Sequence, residues 1–349
     1  MSEIVLLVYN NHDLTRRCLD SLNLHARSGQ KLIIVDDCSA IETRDFLRTV
    51  SSLYDRLAVE LVRNERNCGF IGSANVGLQK TTSPYICLLN NDTLVTADWL
   101  ERMEAVLDAH PDIGIVSPAS TTYGLKPGQG ESLESFASAR RETYAGRFQE
   151  THYCVGFCLL LRKKMLEQIG YFDPVYGVGY FEDNDLGQRA ARAGYRSVIA
   201  LDSYVWHREH GTFTSAERQR QFARNRDIFH DRWNKPKRLL VHAPDSGLQD
   251  DVERLRVVEG CLRLARQGNW VRVVTDTKRR DVLEALDVHA AIVVKRIPRI
   301  LHAPYLAGYV WKKRKKKVDA IHVLRMARPG FRHALQVVCR RPVKELEYV

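Results

Sequence analysis

Nowhere in the 349 residues is there an apolar run near the roughly 18–20 residues that cross a bilayer, nor a CxxC cysteine pair. The first absence argues against a membrane-spanning helix. The N-terminal stretch MSEIVLLVYNN carries Glu3 beside its apolar run and has no small-residue cleavage site, so it reads as a buried strand rather than a signal peptide. The eight cysteines (18, 38, 68, 87, 154, 158, 261 and 339) are scattered, which with the missing signal points to reduced thiols and a cytoplasmic location. Cys154 and Cys158 fall in an apolar strand pattern and read as small core residues. Also missing is the Lys-Ser or Lys-Thr that closes a P-loop, and the glycine spacing of a dinucleotide fingerprint.

What is present is a globular composition, 44% hydrophobic, long enough for two domains, with a net charge of +11. That charge implies anionic company: nucleotides, phospholipid surfaces or nucleic acid. Six consecutive cations, Lys312 to Lys317, follow YLAGYVW. Aromatics beside a cationic run suit the headgroup region of an anionic membrane, and a solvated basic loop is the equal alternative. The run has no interleaved stacking aromatics and no recognised motif, so no nucleic-acid partner is expected.

Along the chain, apolar runs at 4–9, 32–35, 59–62 and 85–89 alternate with helical spacing (Leu14, Cys18, Leu19, Leu22) and with a helix expected at about 41–54. This is the start of a doubly wound α/β sheet, whose ligands bind at the carboxyl ends of strands. Asp36 and Asp37 lie at one such end. Asn90-Asn91-Asp92 lies at another, where a carboxylate can hold a hard cation that bridges two phosphates. Between them, Asn67, Gly69, Gly72, Asn75 and Gly77 mark a turn and the helix after it. That is either a backbone cradle for phosphate at a helix N-terminus or a tight structural turn. A helix at 97–109 and a strand at 113–117 come next. The pattern then dissolves from Ser120 to about Thr151, which reads as a functional loop or lid.

Strand 154–161 and a short helix at 163–169 lead into GYFDPVYGVGYFEDNDLGQRAARAGY, Gly170 to Tyr195. Leu186 and Ala190 stand four apart on a helix that Gly194 ends, which puts Glu182, Asp183 and Asp185 in its first turn. There the helix dipole favours ionised carboxylates. They are either capping acids or a general base delivered into a cleft. Asp185 reads as structural and Asp173, before Pro174, as shaping the loop. His207 and His210 follow the next strand; His207 is equally a structural histidine or a metal ligand. At Asn234-Lys235-Pro236 the alternation restarts, predicting a domain at 1–235 and a smaller α/β domain at 236–349 that docks acceptor, membrane or partner.

Five stretches in order, LLVYNN, IIVDDCS, NxGFxxxxNxG, LLNND and YFEDNDLGQRAARAGY, make residues 4–213 resemble the family 2 glycosyltransferases of GT-A fold, in particular the rhamnosyl- and galactofuranosyl-transferase-like members. The resemblance implies that Asp36 or Asp37 reads the base of a nucleotide-diphospho-sugar. Tyr9 and Asn10 would flank that base pocket, with Asn67, Gly69 and Asn75 near the ribose and phosphates and Asn91 among the donor contacts. Asp92 matches the metal-binding acid of the DxD motif, with Asn90 standing where many members have its first Asp. His207 matches a histidine that completes the site for Mg²⁺ or Mn²⁺ in some relatives. Asp183 matches the base that deprotonates the acceptor hydroxyl, with Glu182 beside it. The implied activity is inverting transfer to a glycan or lipid-linked glycan in bacterial surface polysaccharide synthesis, at the inner face of the membrane. A non-catalytic nucleotide-sugar or glycan-binding module on the same scaffold is the alternative.

Overall fold

The computed structural model describes residues 2–208, 216–312, 318–324 and 329–346. It divides into two compact units, Met1–Phe148 with Tyr153–Trp233, and Gln149–His152 with Asn234–Val349.

The first unit opens as β1 (Glu3–Val8), α1 (His12–His25), β2 (Gln30–Asp36), α2 (Ile41–Leu47), α3 (Val50–Leu53), β3 (Leu57–Arg63), α4 (Gly69–Lys80) and β4 (Tyr85–Asn90). It continues through β5 (Thr93–Val95), α5 (Trp99–Ala109), β6 (Ile113–Ser120) and α6 (Leu133–Thr143); the short β7 (Phe148–Thr151) follows, its last three residues belonging to the second unit. Then come β8 (Cys158–Arg162), α7 (Lys163–Ile169), α8 (Glu182–Arg192), β9 (Arg196–His207) and α9 (Ala216–Trp233). The main path of the sheet runs β3-β2-β1-β4-β8-β6-β9-β5. Its first four strands are parallel, and β8 enters antiparallel to both β4 and β6.

β1 is buried along its whole length because helices cover both faces of the sheet. Its residues alternate between two cores. Ile4, Leu6 and Val8 pack with Leu19 of α1 and Trp99 and Met103 of α5. Val5 and Leu7 pack with Ile71 and Leu78 of α4 and Leu186 of α8. Cys158 joins the first core and Cys154 the second. Gly77 lets α4 approach the sheet; a Cβ there would lie 2.3 Å from the Val5 side chain.

Three expectations change. The helix expected at 41–54 is two, because the Thr49 hydroxyl bonds the Phe46 carbonyl and interrupts the ladder. The supposed structureless lid at 120–151 contains a 3₁₀ turn (Thr121–Tyr123), α6 and β7. Its helix shows too few apolar positions to announce itself: Leu133, Phe136 and Ala137 pack on a small cluster with Ala119 and Tyr204. α9 was not expected at all, since only Asn225 and Phe229 of its 18 residues are buried.

The second unit is β10 (Arg238–His242), α10 (Asp251–Arg266), β11 (Trp270–Thr275), α11 (Arg280–Leu286), β12 (Ile292–Arg296), α12 (His302–Lys312), β13 (Ala320–Val323), α13 (Pro329–Cys339) and β14 (Val343–Glu345). Its sheet, ordered β12-β11-β10-β13-β14, is parallel throughout. Alternate strand residues again divide between two cores, Val241 and Val273 facing α10 and α11, Leu240 and Ile321 facing α12 and α13. Of the basic run Lys312 to Lys317, residues 313–317 lie outside the described residues, as does His210. No helix among the described residues is long and apolar enough to cross a membrane.

Candidate active site

In the first unit the strand order grows one way from β1 to β2 and β3 and the other way to β4, so the crevice of a doubly wound sheet falls outside the carboxyl ends of β1 and β4. Residues just past those ends are Tyr9, Asn10, Asn91 and Asp92.

Glu182 and Asp183 open α8 and line a cleft of about 620 Å³ together with Asn90 and His207. The backbone before them is unusual. Tyr180 and Phe181 are both in the left-handed region, at φ 76° and 73°, a conformation costing each about 1–3 kcal/mol. α9 holds it in place. The fully buried Asn225 amide donates to the carbonyls of Tyr176, Gly179 and Tyr180, and Phe181 packs on Phe222 and Phe229.

The three acids of α8 have separate environments. Asp185, with no exposure, accepts from Arg189, Arg232, Trp233 Nε1 and Tyr176, and is a structural anchor. Asp173 accepts from the Val175 N–H and pairs with Arg232, which shapes the loop. Glu182 is 6% exposed, and its Oε2 has no hydrogen-bond partner among the described residues. Burial first, and the neighbouring Asp183 second, push its carboxyl well above the usual range. Asp183 Oδ2 accepts from the Gly156 N–H at 3.0 Å and Oδ1 from Asn184. Burial outweighs those bonds and raises it to about 6. The expectation that the helix dipole would keep this pair ionised is therefore corrected, because desolvation is the larger effect here.

Asp92 and His207 are brought together, Oδ1 lying 3.4 Å from Nε2. His207 Nδ1 is 2.9 Å from the Thr122 hydroxyl, and its ring stacks on Phe157 at 4.7 Å. With Nδ1–H donating to Thr122, the Nε2 lone pair faces the Asp92 carboxylate, an arrangement that suits a cation shared between them. Two donors fit a hard divalent ion that takes its other ligands from diphosphate and water. No cluster of three such side chains occurs among the described residues.

The remaining expected donor contacts fall elsewhere. Asp36 is paired with Arg63 and accepts from the Ser39 N–H. Asp37 accepts from the N–H groups of Cys68 and Gly69 and from Asn64. The N–H groups expected to be free for phosphate at the start of α4 are thus already bonded to a carboxylate. Asn67 Oδ1 also bonds the Gly69 N–H, and a Cβ on Gly69 would meet the Val178 backbone at 2.9 Å. Asn75, expected near ribose and phosphate, has both polar atoms engaged on the backbone of Phe172. Asn91 donates to Asn10 O and Thr15, and Asn10 Oδ1 bonds the Ala40 N–H. Asn10, Ala40, Thr43 and Arg208 line a separate cavity of about 340 Å³, and Tyr9 is 49% exposed. Sequence reading missed Arg208, Gln221 and Phe222; the last two come from α9 and line the acidic cleft with Arg218.

Residues 3–170 match the family model described as glycosyl transferase family 2. That segment, just under half of the chain, is similar to the family 2 glycosyltransferases. The acidic junction lies beyond the matched segment. Among curated relatives, the glycosyltransferase AglE of Haloferax volcanii is 23% identical over 206 residues, 58% of this chain and 66% of its own. The amylovoran biosynthesis glycosyltransferase AmsB of Erwinia amylovora is 27% identical over 215 residues, 56% of this chain and 65% of its own. This chain therefore spans just under two thirds of each. The solved mannosyltransferase PcManGT of Pyrobaculum calidifontis, in complex with GDP-Man and Mn²⁺, superposes with a TM-score of 0.52 at 20% identity, covering 68% of this chain and 65% of its own. That likeness shows the GT-A fold, a mixed sheet with helices on both faces, for the first unit. The second unit is the smaller α/β domain.

Proposed function

We propose that the first unit is a family 2 glycosyltransferase that moves a sugar from a nucleotide-diphospho-sugar to a hydroxyl of a glycan or lipid-linked glycan, with inversion, in the synthesis of a surface polysaccharide. The observation that carries the reading is Asp183: a carboxylate lining a cleft, with burial raising it to about 6, beside Glu182, which burial raises well above its usual range. A general base works best when its pKa lies near the working pH. Asp183 accepts the proton of the acceptor hydroxyl as that oxygen bonds to the anomeric carbon, and the carbon–oxygen bond to the diphosphate breaks on the opposite face. Burial, and then Asp183, favour the neutral form of Glu182, which limits the negative charge in the cleft. Asp92 and His207 would hold the divalent cation, Mg²⁺ or Mn²⁺, which supplies positive charge to the departing diphosphate. The cavity beside Asn10 and Arg208 receives the nucleotide.

The mannosyltransferase structure with GDP-Man and Mn²⁺ supports a nucleotide-sugar and a divalent ion, and the amylovoran enzyme supports a polysaccharide product. The motifs of the acidic junction favour a hexose or deoxyhexose of the rhamnosyl or galactofuranosyl kind. A thermal-shift screen of nucleotide-sugars with and without Mn²⁺ tests donor and metal together, since a ligand of the native state raises its melting temperature. A metal-dependent upward shift with one nucleotide series is expected. Shifts that ignore Mn²⁺ for every nucleotide would remove the cation from the account.

A further inference from the structure

The second unit contains a topological switch of its own. From β10 the strand order grows one way to β11 and β12 and the other way to β13 and β14, all parallel. In such sheets the crevice outside the carboxyl ends, where the order reverses, is where ligands bind. A cavity of about 600 Å³ opens at that place. His242, the last residue of β10, and Leu324, directly after β13, line it, as do Arg299 and His302 at the start of α12. Gly247 completes the wall, since a Cβ there would lie 2.6 Å from Leu324 Cδ1.

The polar side of this cavity is organised by two buried histidines. His302 Nε2 lies 3.1 Å from the Ile297 carbonyl, which can only accept, so Nε2 carries the proton. His302 Nδ1 then accepts from His242 Nε2 at 3.0 Å. That leaves a lone pair on His242 Nδ1, a buried atom with no hydrogen-bond partner among the described residues, on a side chain 7% exposed. Burial, then His302 and Arg299, hold His242 down at about 4, so the ring is neutral at physiological pH. A neutral buried acceptor is satisfied by a hydroxyl. Arg299, exposed at the mouth, presents a guanidinium whose fork matches phosphate. The nearby acids have their own partners: Asp276 accepts from the Asp245 N–H, and Asp245 from Gln249. Phe331, 4.9 Å from the His242 ring, and Ile300, 85% exposed, give the cavity an apolar wall suited to the face of a sugar ring.

We infer that this crevice is a second ligand site, separate from the acidic cleft, that binds a phosphorylated sugar, with Arg299 on the phosphate and His242 Nδ1 accepting from a hydroxyl. The sugar is either a free glycosyl phosphate or the ribose phosphate of a nucleotide, and the two share this chemistry.

Calorimetric titration of the full chain in EDTA, with glucose 1-phosphate, UMP and inorganic phosphate in separate arms, tests the site. Binding of glucose 1-phosphate or UMP is expected, whichever source the crevice takes, more tightly than inorganic phosphate. Arg299→Ala, at an exposed position that leaves folding intact, is expected to weaken it at least tenfold, while Asp183→Asn leaves it unchanged. In ¹⁵N-histidine spectra of the same titration, the His242 Nδ1 resonance is expected to shift. No binding of either sugar phosphate, equal affinity for inorganic phosphate, or an isotherm that Arg299→Ala leaves unaltered overturns the proposal.

Discussion

Glu182 and Asp183 are adjacent acids that burial holds above the ordinary carboxylate range, Glu182 the more strongly and Asp183 to about 6. Because their folded-state pKa values exceed the unfolded ones, the folded state binds their protons more tightly. The stability that Asp183 lends in this way is complete below the unfolded carboxylate range and is lost as pH rises through about 6. Asp183→Asn removes one of the two titrations. Its melting temperature should therefore gain on wild type as pH rises from about 5 to about 8, opening a gap of about 2–4 °C, roughly 1 kcal/mol in a unit of this size. Differential scanning calorimetry across that range checks it, and a gap that narrows would mean the carboxyl is ionised and stabilised by its neighbours. The acids were visible in the sequence, but their protonation was not. The first turn of a helix suggested ionised groups, whereas depth of burial, which the sequence does not display, decides the matter.

The elements that position the site differ in how plainly they could be read. Strands β1, β2 and β4 announce themselves because burial on both faces demands continuous apolar runs. α8 does so through its spacing and its glycine stop. α9 does not: beside the aromatic contacts of Phe222 and Phe229, it acts through three hydrogen bonds from Asn225 and an ion pair from Arg232, and such polar contacts leave no apolar signal in the sequence. The roles of Asn75 and Asp37 were hidden for a related reason, because an amide or carboxylate bonded to a neighbouring loop looks in sequence like one waiting for a ligand. Two predictions belong to this scale. Asp185→Ala leaves Arg189, Arg232 and the Trp233 indole facing an empty buried position and should cost at least about 2 kcal/mol in urea denaturation. Gly77→Ala places a methyl group against Val5, where α4 meets β1, and should cost about 1–3 kcal/mol by overpacking. A stability within error of wild type for either variant would show that the contact is slack.

For the whole molecule, the chain divides into two units, and Gln149–His152 joins Asn234–Val349, a membership that the restart of strand–helix alternation at Asn234 does not display. The crevice of the second unit was not legible, since a histidine at a strand end has meaning only once its neighbours across the sheet are known. The net charge of +11 bears on where the chain works. Juxtamembrane cations each contribute about 1 kcal/mol at an anionic surface. Deletion of 312–317 should therefore reduce co-sedimentation with phosphatidylserine-containing vesicles by at least tenfold and leave neutral vesicles unaffected. Unchanged partitioning would assign the run to a solvated loop.

The central claim, that Asp183 is the base of a glycosyl transfer, is tested most directly by the pH profile of nucleotide release from the donor that the thermal-shift screen selects. Wild type, Asp183→Asn and Glu182→Gln are compared with Mn²⁺ and an acceptor glycan. The account predicts an acid limb near 6 for wild type, the same limb with activity within about tenfold for Glu182→Gln, and a loss of about 10²–10⁴-fold in Asp183→Asn with donor binding retained. Release by Asp183→Asn at the wild-type rate, or tight donor binding with no turnover by wild type, would contradict it.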